Sequence, residues 1–374
     1  MNLMFKKFFI HDTVMDPIGQ RGVNRCYSAY AQALVDAYPG QVFIYSARPS
    51  KIEGAKIIPW PSIQVGSGYI SRKIARFDNL FGANLADLSS QIYYSPFYGY
   101  MRTKIPQVFT ALDMIYEKFP QFFSSSDQQV QQHIKEKKEC FNRASLIISI
   151  SQNTVNDILE LYPDIPENKL RVVYLGVDDL FFQPGDDSKC RGKPYFLFVG
   201  NRGEYKNFLR FMDAFGKSGL KKSFDLRIIS PVQNDFNTTE NEVIMRHKLE
   251  DYIKLEYAIS DEELKRRYAE AYAFVYPTEY EGFGLPVVEA LASGTLVLTS
   301  NTSSLAEIGG PAPLYFDPLS VDSIMDTLKF AGKMTDSTRQ ERILAGKNWA
   351  SQFTWQNSQR SFVSAVQTLF THRS

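Results

Sequence analysis

Glu281 and Glu289, with seven residues between them, lie in the run Thr278-Glu279-Tyr280-Glu281-Gly282-Phe283-Gly284-Leu285-Pro286-Val287-Val288-Glu289-Ala290-Leu291-Ala292-Ser293-Gly294. Gly282 and Gly284 let backbone amides approach a ligand closely. Pro286 suits the first turn of a helix that begins near Leu285. The free amides and positive dipole end of such a helix favour an anion, most economically a phosphate. Carboxylates are poor phosphate ligands but good acceptors for the hydroxyls of a ribose and a sugar. Glu281, in the loop, and Glu289, about one turn into the helix, are candidates for that task. The alternative is that both are solvated and the glycines serve only as turns.

A second constellation supplies cations. Tyr195-Phe196-Leu197-Phe198-Val199 reads as a buried strand, and Gly200-Asn201-Arg202-Gly203-Glu204-Tyr205-Lys206-Asn207 follows it. Arg202 and Lys206 are suited to neutralising a diphosphate as it leaves. Taken alone, they could equally be surface charges. Near the amino terminus, Met15-Asp16-Pro17-Ile18-Gly19-Gln20-Arg21-Gly22 precedes a helix-like segment, and Gly22 is either a turn glycine or a point of close backbone approach. The spacing is not G-x-G-x-x-G, and a nicotinamide-binding domain is unsupported.

These residues must be positioned by strands and helices. Short apolar runs at Phe8–Ile10, Val42–Tyr45, Ile57–Trp60, Ile92–Tyr94, Val108–Thr110 and Leu146–Ile150 alternate with longer helix-like segments. A second series runs through Tyr195–Val199, Leu226–Ser230, Tyr252–Leu255, Phe274–Tyr276, Leu296–Thr299 and Leu314–Phe316. This is the pattern of α/β units with parallel sheets covered on both faces. The turn-rich, charged stretch Phe182–Lys189 reads as a hinge. The expected organisation is a first domain over 1–184 and a second over 194–355. Two doubly wound sheets facing across a hinge place a ligand cleft outside the carboxyl ends of their strands.

Composition narrows the function classes. The 374 residues, 44% hydrophobic and 14% aromatic, can bury two cores. Forty-two basic against forty-one acidic residues leave a formal charge of +1, with no general electrostatic reason to bind nucleic acid. Cys26, Cys140 and Cys190 are widely spaced and form no C-x-x-C pattern, so they are expected as buried or idle thiols in a reducing compartment. There is no Asp-x-Asp and no clustered His, so no divalent metal is implied. No apolar stretch is long enough to span a bilayer, and the apolar amino terminus is cut off by His11 and Asp12 before a signal core forms. The expectation is a cytoplasmic protein, at most peripheral at the inner face of the plasma membrane. In Tyr69–Phe81, Ile70, Ile74, Phe77 and Phe81 recur at helical spacing while Arg72, Lys73 and Arg76 fall largely on another face. That helix is either an ordinary packed element or a rest on anionic headgroups.

The segment from Thr278 to Thr295 resembles the Glu-x7-Glu signature of retaining glycosyltransferases of family 4, whose two-domain, Rossmann-like architecture is called GT-B. The resemblance spans nearly the whole chain and is more specific in the second half. It implies transfer of a glycosyl group from a nucleotide sugar to a hydroxyl of a saccharide or lipid-linked saccharide, with retained configuration, as in surface polysaccharide synthesis. It implies that Arg202 and Lys206 hold the diphosphate, with the loop Gly282, Phe283, Gly284 and Leu285. Glu281 would hold sugar hydroxyls, Glu289 the ribose, and Gly22 would approach donor phosphates and acceptor. In Val108-Phe109-Thr110-Ala111-Leu112-Asp113-Met114 the family commonly has a His where Leu112 stands; Asp113 remains, as a sugar contact or a structural cap. The closing helix, 356–374, would cross back onto the first domain. No cofactor is implied beyond the donor substrate, with UDP-glucose expected first and GDP-mannose second. Tyr93, Tyr94, Phe97, Tyr98 and Tyr100 either line a carbohydrate cleft or pack in the core. A sugar-nucleotide epimerase and a non-catalytic nucleotide-sugar-binding subunit are the competing readings.

Overall fold

The computed structural model describes residues 7–11, 21–46, 52–59, 92–96, 98–101, 105–123, 127–184 and 192–371. The basic helix expected over 69–81, Phe97, Cys190, the loop 15–20 and most of the expected hinge lie outside them. The chain divides into two compact units, one formed by Met1–Leu175 with Trp355–Ser374 and the other by Gly176–Thr354.

The first unit is built on β1 (Phe8–His11), β2 (Val42–Ser46), β3 (Lys56–Pro59), β4 (Ile92–Ser95), β5 (Gln107–Ala111), β6 (Leu146–Ser149) and β7 (Leu170–Val172). They form a parallel sheet in the order β3-β2-β1-β4-β5-β6-β7. Its central strands are apolar runs without polar alternation, because both faces are covered; β4, β5 and β6 are buried at every position. Helices α1 (Arg21–Ala37), α2 (Gln128–Arg143) and α3 (Gln152–Leu161) supply the covering. Asp127 caps α2 by accepting from the Gln129 amide, and Ser151 caps α3 by accepting from Thr154. The aromatic cluster is core rather than cleft: Tyr93, Tyr94 and Tyr98 are buried, Tyr93 donating to the Gly99 carbonyl at 3.1 Å and Tyr94 paired with Thr110 at 3.2 Å. Half-buried Tyr100 stacks under the Arg143 guanidinium, 4.9 Å from ring centre. Cys26 and Cys140 are buried thiols, and burial pushes the Cys26 pKa up to about 12.

The second unit carries β8 (Tyr195–Val199), β9 (Asp225–Ser230), β10 (Ile253–Tyr257), β11 (Ala273–Tyr276), β12 (Val297–Ser300) and β13 (Leu314–Phe316). All neighbours are parallel, in the order β10-β9-β8-β11-β12-β13. The crossovers run through α4 (Phe208–Ser218), α5 (Thr238–His247), α6 (Asp261–Glu270), α7 (Leu285–Ala292) and the short helix Ser304–Gly309; α8 (Val321–Gly332) and α9 (Asp336–Ala350) follow β13. In α4 the buried residues Phe208, Phe211, Met212 and Phe215 recur at helical spacing, so one stripe faces the sheet. That stripe meets Phe196, Phe198, Leu226 and Ile228 in the core.

The last helix, α10 (Trp355–Thr371), belongs to the first unit. Tyr30 of α1 stacks flat on Phe362 with ring centres 4.3 Å apart, its hydroxyl 3.1 Å from Ser358, and Gln359 donates to the Ala29 carbonyl at 2.9 Å. The boundary after the first sheet differs from the expected position at 184. Residues 176–184 belong to the second unit because Val177 donates to the Phe353 carbonyl and Phe181 is fully buried 6.2 Å from the Tyr268 ring. Among the described residues, no helix is long and apolar enough to cross a membrane.

Candidate functional site

In the second unit the strand order turns back on itself between β8 and β11, with β9 and β10 on one side and β12 and β13 on the other. Crossover connections leave in opposite directions there, so the loops after the two strands part and open a crevice at the carboxyl edge. The segment 200–207 follows β8, and 277–284 follows β11. Every sequence-derived candidate of this half falls on these two loops or on α7, which the second one feeds.

The loops meet through three side chains. The Lys206 ammonium lies 2.5 Å from Glu281 Oε1 and donates to the Tyr276 hydroxyl at 3.1 Å. Tyr276 in turn donates to the same Oε1 at 2.9 Å. The side chains of Lys206 and Glu281 are only 12% and 15% exposed. Burial alone disfavours the ammonium, but the Glu281 carboxylate, followed by the Tyr276 and Tyr205 oxygens, outweighs it and holds the Lys206 pKa well above the ordinary lysine value. Burial and then the Glu281 charge raise the Tyr276 pKa, so its proton stays available for donation. Lys206 is thus a fixed cation with a carboxylate for a partner.

Arg202, expected with Lys206 as a fixed cation for a diphosphate, is held by protein partners. Its Nε donates to Glu240 Oε1 at 2.8 Å, with side chains 4% and 1% exposed. The guanidinium also donates to Asn234 Oδ1 and to the carbonyls of Asn234 and Asp235, and lies over the Phe236 ring at 5.2 Å. It ties the loop after β8 to the loop after β9.

The glycine loop is shaped by contacts that the motif itself does not contain. Gly284 has φ +104° at the N-cap of α7, a conformation that demands glycine, and a Cβ there would stand 2.7 Å from Leu305 Cδ2, which would have to shift. Ser303 accepts from the Glu281 amide at 3.0 Å, Thr302 donates to the Glu279 carbonyl, and Ser304 donates to the Glu281 and Phe283 carbonyls at 2.8 and 2.9 Å. Phe283 is buried, edge-on to Phe353 at 5.9 Å. Leu285, Pro286 and Val287 open α7; Pro286 carries no amide hydrogen and the Val287 amide donates to the Gly284 carbonyl at 2.9 Å. Asn207 has a left-handed φ of 57° and donates to the Pro277 and Pro318 carbonyls at 3.0 and 2.7 Å. Arg210 bonds Glu279 at 2.9 Å and also Asn207 Oδ1. Tyr276, Asn207, Arg210 and Ser303 were not singled out by sequence reading. The only local cue was their position at strand ends and beside the motif.

Glu289 is buried in α7 and accepts from the Tyr268 hydroxyl of α6 at 3.3 Å. Lys206, Glu281 and the Gly282–Leu285 loop are therefore drawn together, while Arg202 and Glu289 each have a protein partner. Gly22 and Asp113 belong to the first unit. Gly22 is half-buried in the first turn of α1. Asp113 lies just after β5, its Oδ1 accepting from the Ile115 amide at 3.2 Å, a turn-capping contact. Buried Lys137 donates to the Asp113 carbonyl and to Glu117, both at 3.0 Å. The Leu112 amide donates to the Tyr98 hydroxyl at 3.4 Å. Among the described residues, no group of three His, Cys, Asp or Glu could hold a metal ion.

Residues 182–349, all within the second unit, match the family described as Glycosyl transferases group 1. The O-antigen chain mannosyltransferase B of Escherichia coli is 26% identical over 299 residues, 76% of this chain and 76% of that protein. The MMP alpha-(1->4)-mannosyltransferase of Mycolicibacterium hassiacum is 30% identical over 217 residues, 56% of this chain and 51% of its own length. Among solved structures, the sucrose-phosphate synthase of Thermosynechococcus elongatus superposes with a TM-score of 0.75 at 16% identity, over 98% of this chain and 100% of the other. Identity that low speaks for the fold alone, two Rossmann-like parallel-sheet domains of the GT-B class.

Proposed function

We propose that this protein transfers a hexosyl group, mannosyl in first place, from a nucleoside diphosphate sugar to a hydroxyl of a saccharide or lipid-linked saccharide, with retained anomeric configuration and without a metal ion. The observation that carries the reading is the Lys206–Glu281 contact at the point where the second sheet reverses, beside the amino-terminal turn of α7. It puts a fixed cation and a carboxylate within one loop pair, beside the glycine loop that leads into α7. A diphosphate would meet Lys206 and the amides of the Gly282–Leu285 loop, and Glu281 would accept from sugar hydroxyls. Glu289 would accept from the ribose. The sugar–phosphate bond breaks as positive charge builds on the sugar and negative charge on the leaving diphosphate, so donors aimed at the phosphates lower the barrier. Lys206 and the amides of the Gly282–Leu285 loop would supply that role without a bridging cation.

The mannosyl preference rests on the two mannosyltransferases among the relatives, and it displaces UDP-glucose from first place. Arg202, held by Glu240, would act on the diphosphate indirectly by fixing the loop after β8. Asp113 and Gly22 are proposed as first-unit residues of the same reaction, Asp113 through the turn it caps. A surface polysaccharide, or its lipid-linked precursor, is the proposed product class.

Incubating the protein with labelled GDP-mannose, UDP-glucose and related donors, with and without saccharide acceptors and with and without EDTA, tests every part. Acceptor-dependent release of GDP from GDP-mannose, an α-linked product by NMR and activity that survives EDTA are expected. Donor turnover without acceptor, yielding an altered sugar, would favour an epimerase. Binding without turnover would favour a non-catalytic subunit.

A further inference from the structure

We propose that Tyr276 is a positioning residue for the reaction, its hydroxyl keeping the Glu281 carboxylate oriented when a diphosphate draws Lys206 away. The inference rests on the functional reading above. Tyr276 ends β11 and is 2% exposed, packed against Phe274 with ring centres 5.6 Å apart, so its ring is fixed by the core rather than by solvent contacts. Its hydroxyl is the only oxygen that bonds both Lys206 and Glu281 among the described residues: it accepts at 3.1 Å from the first and donates at 2.9 Å to the second. Both donors meet Oε1 of Glu281, and no protein donor reaches Oε2 among the described residues.

The geometry has a chemical consequence. Oε2 is the acceptor left for a ligand hydroxyl, and its direction is set by how Oε1 is held. Two donors hold Oε1. Once phosphate oxygens compete for the Lys206 ammonium, the lysine contact weakens and the tyrosine contact stays, because the phenol stands on a strand end and needs no movement to keep it. A carboxylate held by one rigid donor retains its aim; one held by none can turn among rotamers, and the sugar loses its acceptor. The same hydroxyl gives Lys206 a second anchor.

Tyr276→Phe removes this oxygen and nothing else, and the ring can remain packed. Losing one hydrogen bond to a charged partner corresponds to about tenfold to a hundredfold in rate. The expected result is a fall of that size in kcat with intact donor, with nucleoside diphosphate affinity changed less than about threefold. A merely structural tyrosine would affect both ligand measurements alike. The cycle with Glu281→Gln gives the second readout. If Tyr276 acts through Glu281, Tyr276→Phe combined with Glu281→Gln turns over no more slowly than Glu281→Gln alone. Multiplying losses, or a Tyr276→Phe variant as fast as wild type, would overturn the proposal. Wild-type protein that neither binds a nucleoside diphosphate nor turns over any nucleotide sugar would instead overturn the functional reading.

Discussion

Nε of Arg202 lies 2.8 Å from Oε1 of Glu240, while the other oxygen of the same carboxylate accepts from the Asn237 amide at 2.8 Å and closes the capping box that starts α5. One buried carboxylate thus joins a helix start to the loop after β8. The arginine that sequence reading offered to a diphosphate is engaged in holding that junction.

Replacing Arg202 is therefore expected to act on stability first. Arg202→Met leaves the 1%-exposed Glu240 without its cation, and breaking a buried pair of this kind costs about 3–5 kcal/mol. Urea unfolding of the variant measures it. Glu240→Ala should lose a comparable amount plus the reciprocal capping-box bond to the Asn237 amide, while Asn237 still caps the helix through the Glu240 backbone amide. Weaker diphosphate binding with an unchanged unfolding free energy would mean that Arg202 meets the ligand directly.

Lys206 carries a pH signature of definite sign. Its pKa in the folded protein stands above the unfolded value of about 10.4. The contribution of its charge to stability is then fully present below that pH, and is lost only as pH rises through the higher folded value. Denaturation midpoints of wild type and Lys206→Met should differ by a constant amount from pH 7 to 9.5 and converge only beyond. A difference that shrinks already between pH 7 and 9 would contradict the pairing with Glu281.

Gly284→Ala places a Cβ at φ +104° and 2.7 Å from Leu305 Cδ2. Forcing a side chain into such a conformation costs about 1–3 kcal/mol, and Leu305 must also give way. Lower stability and weaker nucleoside diphosphate binding should appear together, since the strained residue is the N-cap of α7. Calorimetric titration of the variant with GDP and UDP checks the second part.

The two motif acids should divide their effects. Glu289→Ala is expected to weaken the bare diphosphate, because ribose is common to donor and product, and to cost about 1–3 kcal/mol of stability by stripping the Tyr268 hydroxyl of its acceptor. Glu281→Ala is expected to lower turnover of the intact donor more than affinity for the diphosphate. Equal effects of both substitutions on both ligands would refute that division.

The amino-acid sequence by itself determined where the strands run, because uninterrupted apolar runs bounded by turn residues have few other ways to be buried. It also placed Glu281, the glycines and Glu289 around a helix start, since Pro286 and Gly284 act within a few residues of themselves. Tertiary structure decided which charges meet. Lys206 and Glu281 are 75 residues apart and touch only because β8 and β11 are neighbours at the reversal of strand order, a pairing no local pattern contains. The same holds for Arg202 with Glu240 and for Tyr276, whose run of apolar neighbours reads as core while its hydroxyl ends among charges. The boundary near 175 was equally hidden, since it depends on Val177 bonding to Phe353 rather than on composition. Local propensity is written in spacings of two to four residues, whereas the partner of a buried polar group is set by sheet order and by the cost of leaving that group unpaired.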